Sequence, residues 1–262
     1  MKSHPNKALK PLITATIIAL VTCAILLVML SLNGFKNNVF EAKTSDEDAN
    51  ALPSRLLETP DYGQFYLDNL IFLADKTITP MRDAAVLRDG IDTKQIWTGE
   101  KNSLSLDYSS SVATIIFPES GEAISLSEAF QRKRPDYVVI TLGFENGVAY
   151  CTEEKFKEYY GNLINTIKES SPDTKIILQS VFPVSNKKQK DNSGITNDKI
   201  DRANSWIEEL ALSSEVKYLN TVSVLEDSKG NLKPEYDSGD GVTLNENGYR
   251  AVLEYIRTHG YR

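Results

Sequence analysis

The chain has few of the side chains that most often carry enzymatic chemistry. Among 262 residues, histidine occurs only at His4 and His259, and cysteine only at Cys23 and Cys151. Two distant cysteines supply neither a disulfide framework nor a Cys-x-x-Cys metal site, and no metal or cofactor is expected. Positive charge is also in deficit: 29 Lys and Arg stand against 36 Asp and Glu, a net charge of −7. That balance argues against nucleic acid as a partner, because phosphate binding needs a basic surface. No internal repeat is present. The remaining composition, 41% hydrophobic and 25% charged, is that of an ordinary globular chain.

One long stretch lacks charge altogether. Residues 12–32 are mostly Ile, Leu, Val, Ala and Met, and about 20 such residues span a bilayer core as a helix. The apolar part of a cleavable signal peptide usually runs to about 7–15 residues, and Ser31-Leu32-Asn33-Gly34 is a poor cleavage site. A retained anchor is therefore expected. Lys2, Lys7 and Lys10 precede it, and Glu41, Asp46, Glu47 and Asp48 follow. The positive-inside rule then places the short N-terminus in the cytoplasm and the bulk of the chain outside. The expected organisation is a cytoplasmic 1–10, a transmembrane 11–33, an acidic linker 34–60 with Pro53 and Pro60, and a folded extracellular domain 61–262. A lone Cys151 in the exported part fits a lineage that does not rely on disulfides, or a buried thiol.

The domain is centred on residues 69–80, NLIFLADKTITP. Leu70, Ile71, Phe72 and Leu73 form an unbroken apolar run, the pattern of a strand buried on both faces of a parallel sheet. Further strands are expected at 137–142, 175–182 and 216–219, with short strand-like pieces at 95–98, 103–107 and 113–117 on the rim. Helices are expected at 78–88, 125–133, from Thr152 to about 170, from Thr196 or Asn197 to 212, and at 245–259. Strand and helix alternating in this way imply right-handed crossovers and an α/β fold with a mostly parallel sheet covered on both faces.

The carboxyl end of a central strand in such a sheet opens into the ligand crevice, so Asp75, Lys76 and Thr77 are expected at the pocket. After the strand at 137–142 comes Gly143-Phe144-Glu145-Asn146-Gly147, a turn able to offer a backbone donor and an amide. Near the C-terminus, residues 237–245 form a polar Gly-rich loop leading into a helix capped by Asn245. Its acids lack a full calcium-loop spacing and read as turn residues.

In this order FLADKT, VITLGFENGV and DSGDGVTLNENGY are similar to three blocks of the GDSL, or SGNH, hydrolase family, over residues 62–262. The resemblance implies a three-layer α/β/α, flavodoxin-like fold. It also implies a serine nucleophile after Gly-Asp, and a histidine base oriented by an aspartate three residues earlier. Glycine and asparagine would form the oxyanion site, and the substrates would be esters, often acyl or acetyl groups on lipids and carbohydrates. The chain departs from this pattern at its centre. Gly-Asp-Ser is replaced by Ala74-Asp75-Lys76, and Asp-x-x-His by Asp240-Gly241-Val242-Thr243. The oxyanion turn carries an extra residue, which leaves Glu145 or Asn146 at the asparagine position. Gly90 and Gly99 are candidates for the glycine of the second block.

A hydroxyl nucleophile needs an adjacent base. His4 precedes the anchor and His259 ends the last helix, so neither histidine is expected at the pocket. A Lys-assisted base for Thr77 or Thr243 would need a neutral Lys76 beside Asp75 and Asp240. The expectation is a degenerate, membrane-anchored member that has lost hydrolysis and binds a ligand or partner at the envelope: a cell-wall glycan, a lipid or an envelope protein. An esterase using a Lys-assisted base is the alternative. The pocket candidates are Asp75, Lys76, Thr77, Gly143, Glu145, Asn146, Asp240 and Thr243. A Lys76–Asp240 ion pair, or a close water-bridged version of it, is expected across the former triad, with the Thr243 hydroxyl beside it and Glu145 within reach.

Overall fold

The computed structural model describes residues 52–191 and 193–261. The expected anchor at 11–33 lies outside the described residues. Among those described, no helix is long and apolar enough to cross a membrane.

The principal elements are α1 (Gly63–Asp68), β1 (Leu70–Ala74), β2 (Ile96–Trp97), β3 (Thr114–Ile116), β4 (Ala123–Ser125), α2 (Leu126–Lys133), β5 (Tyr137–Thr141), α3 (Glu153–Ser170), β6 (Lys175–Gln179), α4 (Asn197–Ser213), β7 (Lys217–Leu219) and α5 (Glu246–Thr258). Four helices start on side-chain caps: Ser125, Thr152, Thr196 and Asn245 accept from the backbone N–H three residues on. The main sheet has the order β2-β1-β5-β6-β7, and every pairing is parallel. Counting its strands along the chain, the order is 2-1-3-4-5, the doubly wound flavodoxin-like arrangement. The chain reverses its direction of travel across the sheet between β1 and β5. These neighbours run in register from Leu70↔Tyr137 to Ala74↔Thr141.

Strand alternation divides the core into two layers. Ile71, Leu73, Val138 and Ile140 pack with Phe130 of α2, Phe156 of α3 and Ile207 of α4. Leu70, Phe72, Val139 and Ile177 face the opposite side, against Leu67 of α1 and Tyr249, Val252 and Ile256 of α5. Burial on both sides explains why β1 reads as continuous apolar sequence.

Local differences from the sequence reading have local causes. The helix expected over 78–88 is a single turn, Pro80–Asp83, because Ala85 adopts φ 53° and breaks the run. Its apolar spacing instead reflects Ile78 and Met81, which plug the core. Residues 103–107 form no strand, although Leu104 donates to the Ala74 carbonyl at 2.9 Å and Leu106 is buried. The β3–β4 hairpin stands apart from the main sheet. At the other edge, within the stretch expected as linker, residues 54–56 pair with β7 and Thr59 N–H donates to Thr258 O at the end of α5 at 2.6 Å. Leu56 N–H donates to Tyr218 O at 2.8 Å, Tyr218 N–H to Ser54 O at 2.9 Å, and Arg55 grips Glu208 at 2.6 and 2.7 Å.

Candidate functional site

The carboxyl ends of β1 and β5 open at the switch point, where an open α/β sheet places its ligand. As β1 ends, Asp75 turns back into the protein. Its Oδ1 accepts from Thr77 N–H at 2.9 Å and Thr77 Oγ1 at 2.6 Å, while Oδ2 is buried without a hydrogen-bond partner. Burial pushes the Asp75 carboxyl up to about 7 against these Thr77 bonds, and the nearby Glu145 charge adds to the push. The turn leaves Lys76 pointing outward. Tyr249 of α5 donates to Thr77 O at 2.7 Å and pins the turn from below.

The turn after β5 depends on its glycines. Gly143 has φ 127°, and a Cβ there would meet Val181 at 3.1 Å and Phe156 at 3.2 Å. Glu145 is then extended and Asn146 left-handed at φ 60°, which brings both towards the crevice. Glu145 accepts from Ser103 Oγ at 2.5 Å and pairs with Lys76 Nζ at 3.5 Å. The Lys76 ammonium also lies 5.4 Å from the Phe144 ring centroid. Cys151 donates to Asn146 O at 3.3 Å, and burial, helped by Asp107, pushes its thiol upward.

The third loop is anchored where Gly241, at φ 78°, passes so close to Ser185 that any Cβ would collide with its hydroxyl. Within it, Asp240 accepts from Val242 N–H at 2.8 Å, Thr243 N–H at 2.7 Å, Thr243 Oγ1 at 2.9 Å and Ser238 Oγ at 3.3 Å. Burial alone would raise the Asp240 carboxyl, but the bonds from Thr243, Val242 and Ser238 outweigh it and hold it below the usual range. The Thr243 hydroxyl also meets Ser238 Oγ at 2.6 Å.

Lys76, Glu145, Asn146, Asp240 and Thr243 therefore line one cavity of about 680 Å³. Asp75, Thr77 and Gly143 are buried behind it and do not line it. The expected direct Lys76–Asp240 pair is corrected: among the described residues no ion pair joins them, and the carboxylate paired with Lys76 is Glu145. Asp240 is consumed by its own loop, so the lysine takes the nearer acid. His259 stacks on Tyr255 with ring centroids 3.7 Å apart, at the end of α5, and is not among the residues lining the cavity. Lys101, Ser105, Tyr150 and Lys188 also line it without having been singled out from the sequence, beside the apolar Phe144, Ala149, Ile195 and Val242. Lys101, Ser105 and the Glu145 partner Ser103 come from the irregular stretch between β2 and β3, where the alternation at 103–107 reads as a rim strand and does not mark its serines as facing the crevice.

A 2-1-3-4-5 α/β/α sandwich with three loops meeting at its switch point defines a flavodoxin-like α/β domain with its cleft above β1 and β5. The chain belongs to the GDSL-like Lipase/Acylhydrolase family, whose model matches residues 107–251. Among solved structures, a Streptococcus pneumonia protein provisionally assigned as a platelet activating factor is similar at a TM-score of 0.51 and 18% identity, over 72% of this chain and 82% of that one. A catalytic mutant of an acetylxylan esterase from Geobacillus stearothermophilus gives 0.42 at 19% identity, over 74% and 94%. A GDSL-like lipase from Bacteroides thetaiotaomicron gives 0.39 at 23% identity, over 50% and 68%. The first of these likenesses supports the fold. No curated protein matches the chain.

Proposed function

We propose that this chain is a GDSL-like domain that has lost ester hydrolysis and works as a binding module, held at the outer face of a cell membrane by the apolar segment 12–32. The observation that carries this reading is the occupancy of the two reactive positions. Lys76 stands where the family places its serine, and Thr243 where it places its histidine. A serine-type mechanism needs a nucleophile and a base in contact, and no histidine lines the cavity among the described residues. The pairing of Lys76 with Glu145 at 3.5 Å counts against a Lys-assisted base, which requires a neutral amine. The Thr243 hydroxyl is held between Asp240 and Ser238, an arrangement that fastens a loop. The cavity itself persists, within the range of roughly 300–1,000 Å³ typical of ligand sites.

The test is turnover of p-nitrophenyl acetate and butyrate by the purified full-length chain. Rates equal to buffer support the binding reading. Saturable turnover that is lost in Lys76→Met or Thr243→Val would instead establish the Lys-assisted esterase.

A further inference from the structure

We propose that the end of the domain opposite the cleft, where Tyr62, Phe65, Tyr137, Tyr261 and Lys175 gather, rests on a lipid bilayer at the depth of its headgroups. This goes beyond the binding reading and rests on the membrane attachment proposed with it.

The parallel sheet puts these side chains together. All five strands begin at this end, with Leu70, Tyr137 and Lys175 in register at the starts of β1, β5 and β6. The short helix α1 leads into β1; within it Tyr66 and Leu67 are buried, while Phe65 is 82% exposed. The buried Tyr66 joins the other tyrosines. Its ring meets Tyr62 edge-on at 5.4 Å and Tyr137 at 5.1 Å, and Tyr137 lies 6.1 Å from Tyr261. Lys175 sets its ammonium 5.0 Å from the Tyr137 ring centroid and 5.5 Å from that of Tyr261. Tyr62, Tyr137, Tyr261 and Lys175 all keep some exposure. An exposed phenylalanine alone needs no explanation. Beside three accessible tyrosines and a lysine it forms the mixture that bilayer interfaces favour. Tyrosine offers an apolar body and a polar tip at headgroup level, and the lysine stem lies along apolar surface while its ammonium reaches water and phosphate.

The path of the chain selects a bilayer as the occupant. Lys217, the first residue of β7, donates to the Pro53 carbonyl at 3.2 Å, so the described chain begins at this same end of the sheet. Residues 33–51 separate it from the apolar segment 12–32, and a stretch of that length reaches at most about 65 Å. With that segment in the membrane, the contact of the domain is intramolecular, and a small patch suffices where free association would need a larger one. The charges of this end are mixed: Asp68 and Asp136 immediately precede the starts of β1 and β5, while Lys175 and Lys217 begin β6 and β7. The contact therefore calls for no anionic lipid. It also leaves the cavity, at the carboxyl ends of the strands, facing away from the bilayer.

The experiment uses the full-length chain carrying Phe65→Trp, reconstituted into phosphatidylcholine vesicles with or without lipid brominated near the ester end of its acyl chains. Trp97 is buried and Trp206 packs on Phe156 at 5.5 Å, so the unsubstituted chain supplies the background. Brominated lipid should quench the added emission by about twofold or more, as for a ring at the boundary of headgroups and acyl chains. Tyr150→Trp, at the cavity, should keep its emission with the same lipid and be quenched by acrylamide instead. Phe65 is 82% and Tyr150 79% exposed, so neither substitution disturbs packing, and circular dichroism checks each fold. Flotation of the chain with the vesicles on a density gradient reads the attachment separately. Flotation without quenching at position 65 overturns the proposed face and leaves the attachment standing. Equal quenching at positions 65 and 150 overturns it as well, because the domain would then meet lipid without a preferred side. Emission at position 65 shielded from acrylamide yet untouched by brominated lipid would overturn it in favour of a second copy of the chain. Failure to float overturns the attachment, and the face with it.

Discussion

Two charged residues next to each other in the chain, Asp75 and Lys76, have opposite environments, and their energetics differ accordingly. Asp75 is fully buried with one oxygen unpartnered and its carboxyl raised to about 7. A raised carboxyl binds its proton more tightly in the native state. Its stabilising contribution is therefore complete below the unfolded value, near pH 4, and is lost as pH rises through about 7. That loss is on the order of 4 kcal/mol by linkage. Asp240 and Asp107, held low, act in the opposite direction and below pH 4, so the windows separate. Urea melts between pH 4 and 8 should show stability falling with pH, and Asp75→Asn should flatten that slope. Lys76 is a different case. Its side chain is 49% exposed and that of Glu145 28% exposed, so Lys76→Met should cost no more than about 1 kcal/mol. A larger loss by the same melts would mean that the pair is desolvated. Sequence placed both residues at the end of β1 but paired Lys76 with Asp240, whereas the structure pairs it with Glu145. That choice depends on Asp240 spending its lone pairs on backbone N–H groups two and three residues away.

The elements that frame the cleft were legible to different degrees, for physical reasons. Strands β1, β5 and β6 are buried on both faces and show as apolar runs, and the long helices announce themselves by their caps and periodicity. Strand β4, three residues with an exposed-buried-exposed pattern, is too short to register. The stretch 99–107 forms no strand despite the alternation at 103–107, and it supplies Lys101, Ser103 and Ser105 to the site. The turn after β5 was legible as a motif, and its tolerance can be measured. Gly143→Ala combines a positive φ with contacts of 3.1 and 3.2 Å to Val181 and Phe156, so about 1–3 kcal/mol should be lost. An unchanged melt would show that the turn can relax. At the β7 edge, Arg55→Ala strands a partly buried Glu208 and should cost about 1–3 kcal/mol, more than Lys76→Met. A cost near zero would mean that residues 52–60 contribute no stability to the domain.

For the molecule as a whole, the sheet order explains where a ligand goes, and on the proposed reading Lys76 and Thr243 leave that crevice without a nucleophile and a base. The proposed topology, an N-terminal anchor with the domain outside, predicts that protease added to intact cells digests the domain. Protection would reverse the orientation. The proposed loss of hydrolysis requires no change of fold, since Lys76 and Thr243 sit on loops that the scaffold brings to one cavity. Restoring both groups in Lys76→Ser with Thr243→His should give weak ester turnover at most, because Ala74 and the extra residue beside Glu145 leave the oxyanion donors unmatched to the family pattern. The most direct measurement of the central claim is intact mass of the native full-length chain after prolonged exposure to a fluorophosphonate, a reagent that traps activated hydroxyl nucleophiles. The account predicts an unmodified mass; a single stoichiometric adduct on Thr243, Thr77 or a cavity serine would contradict it.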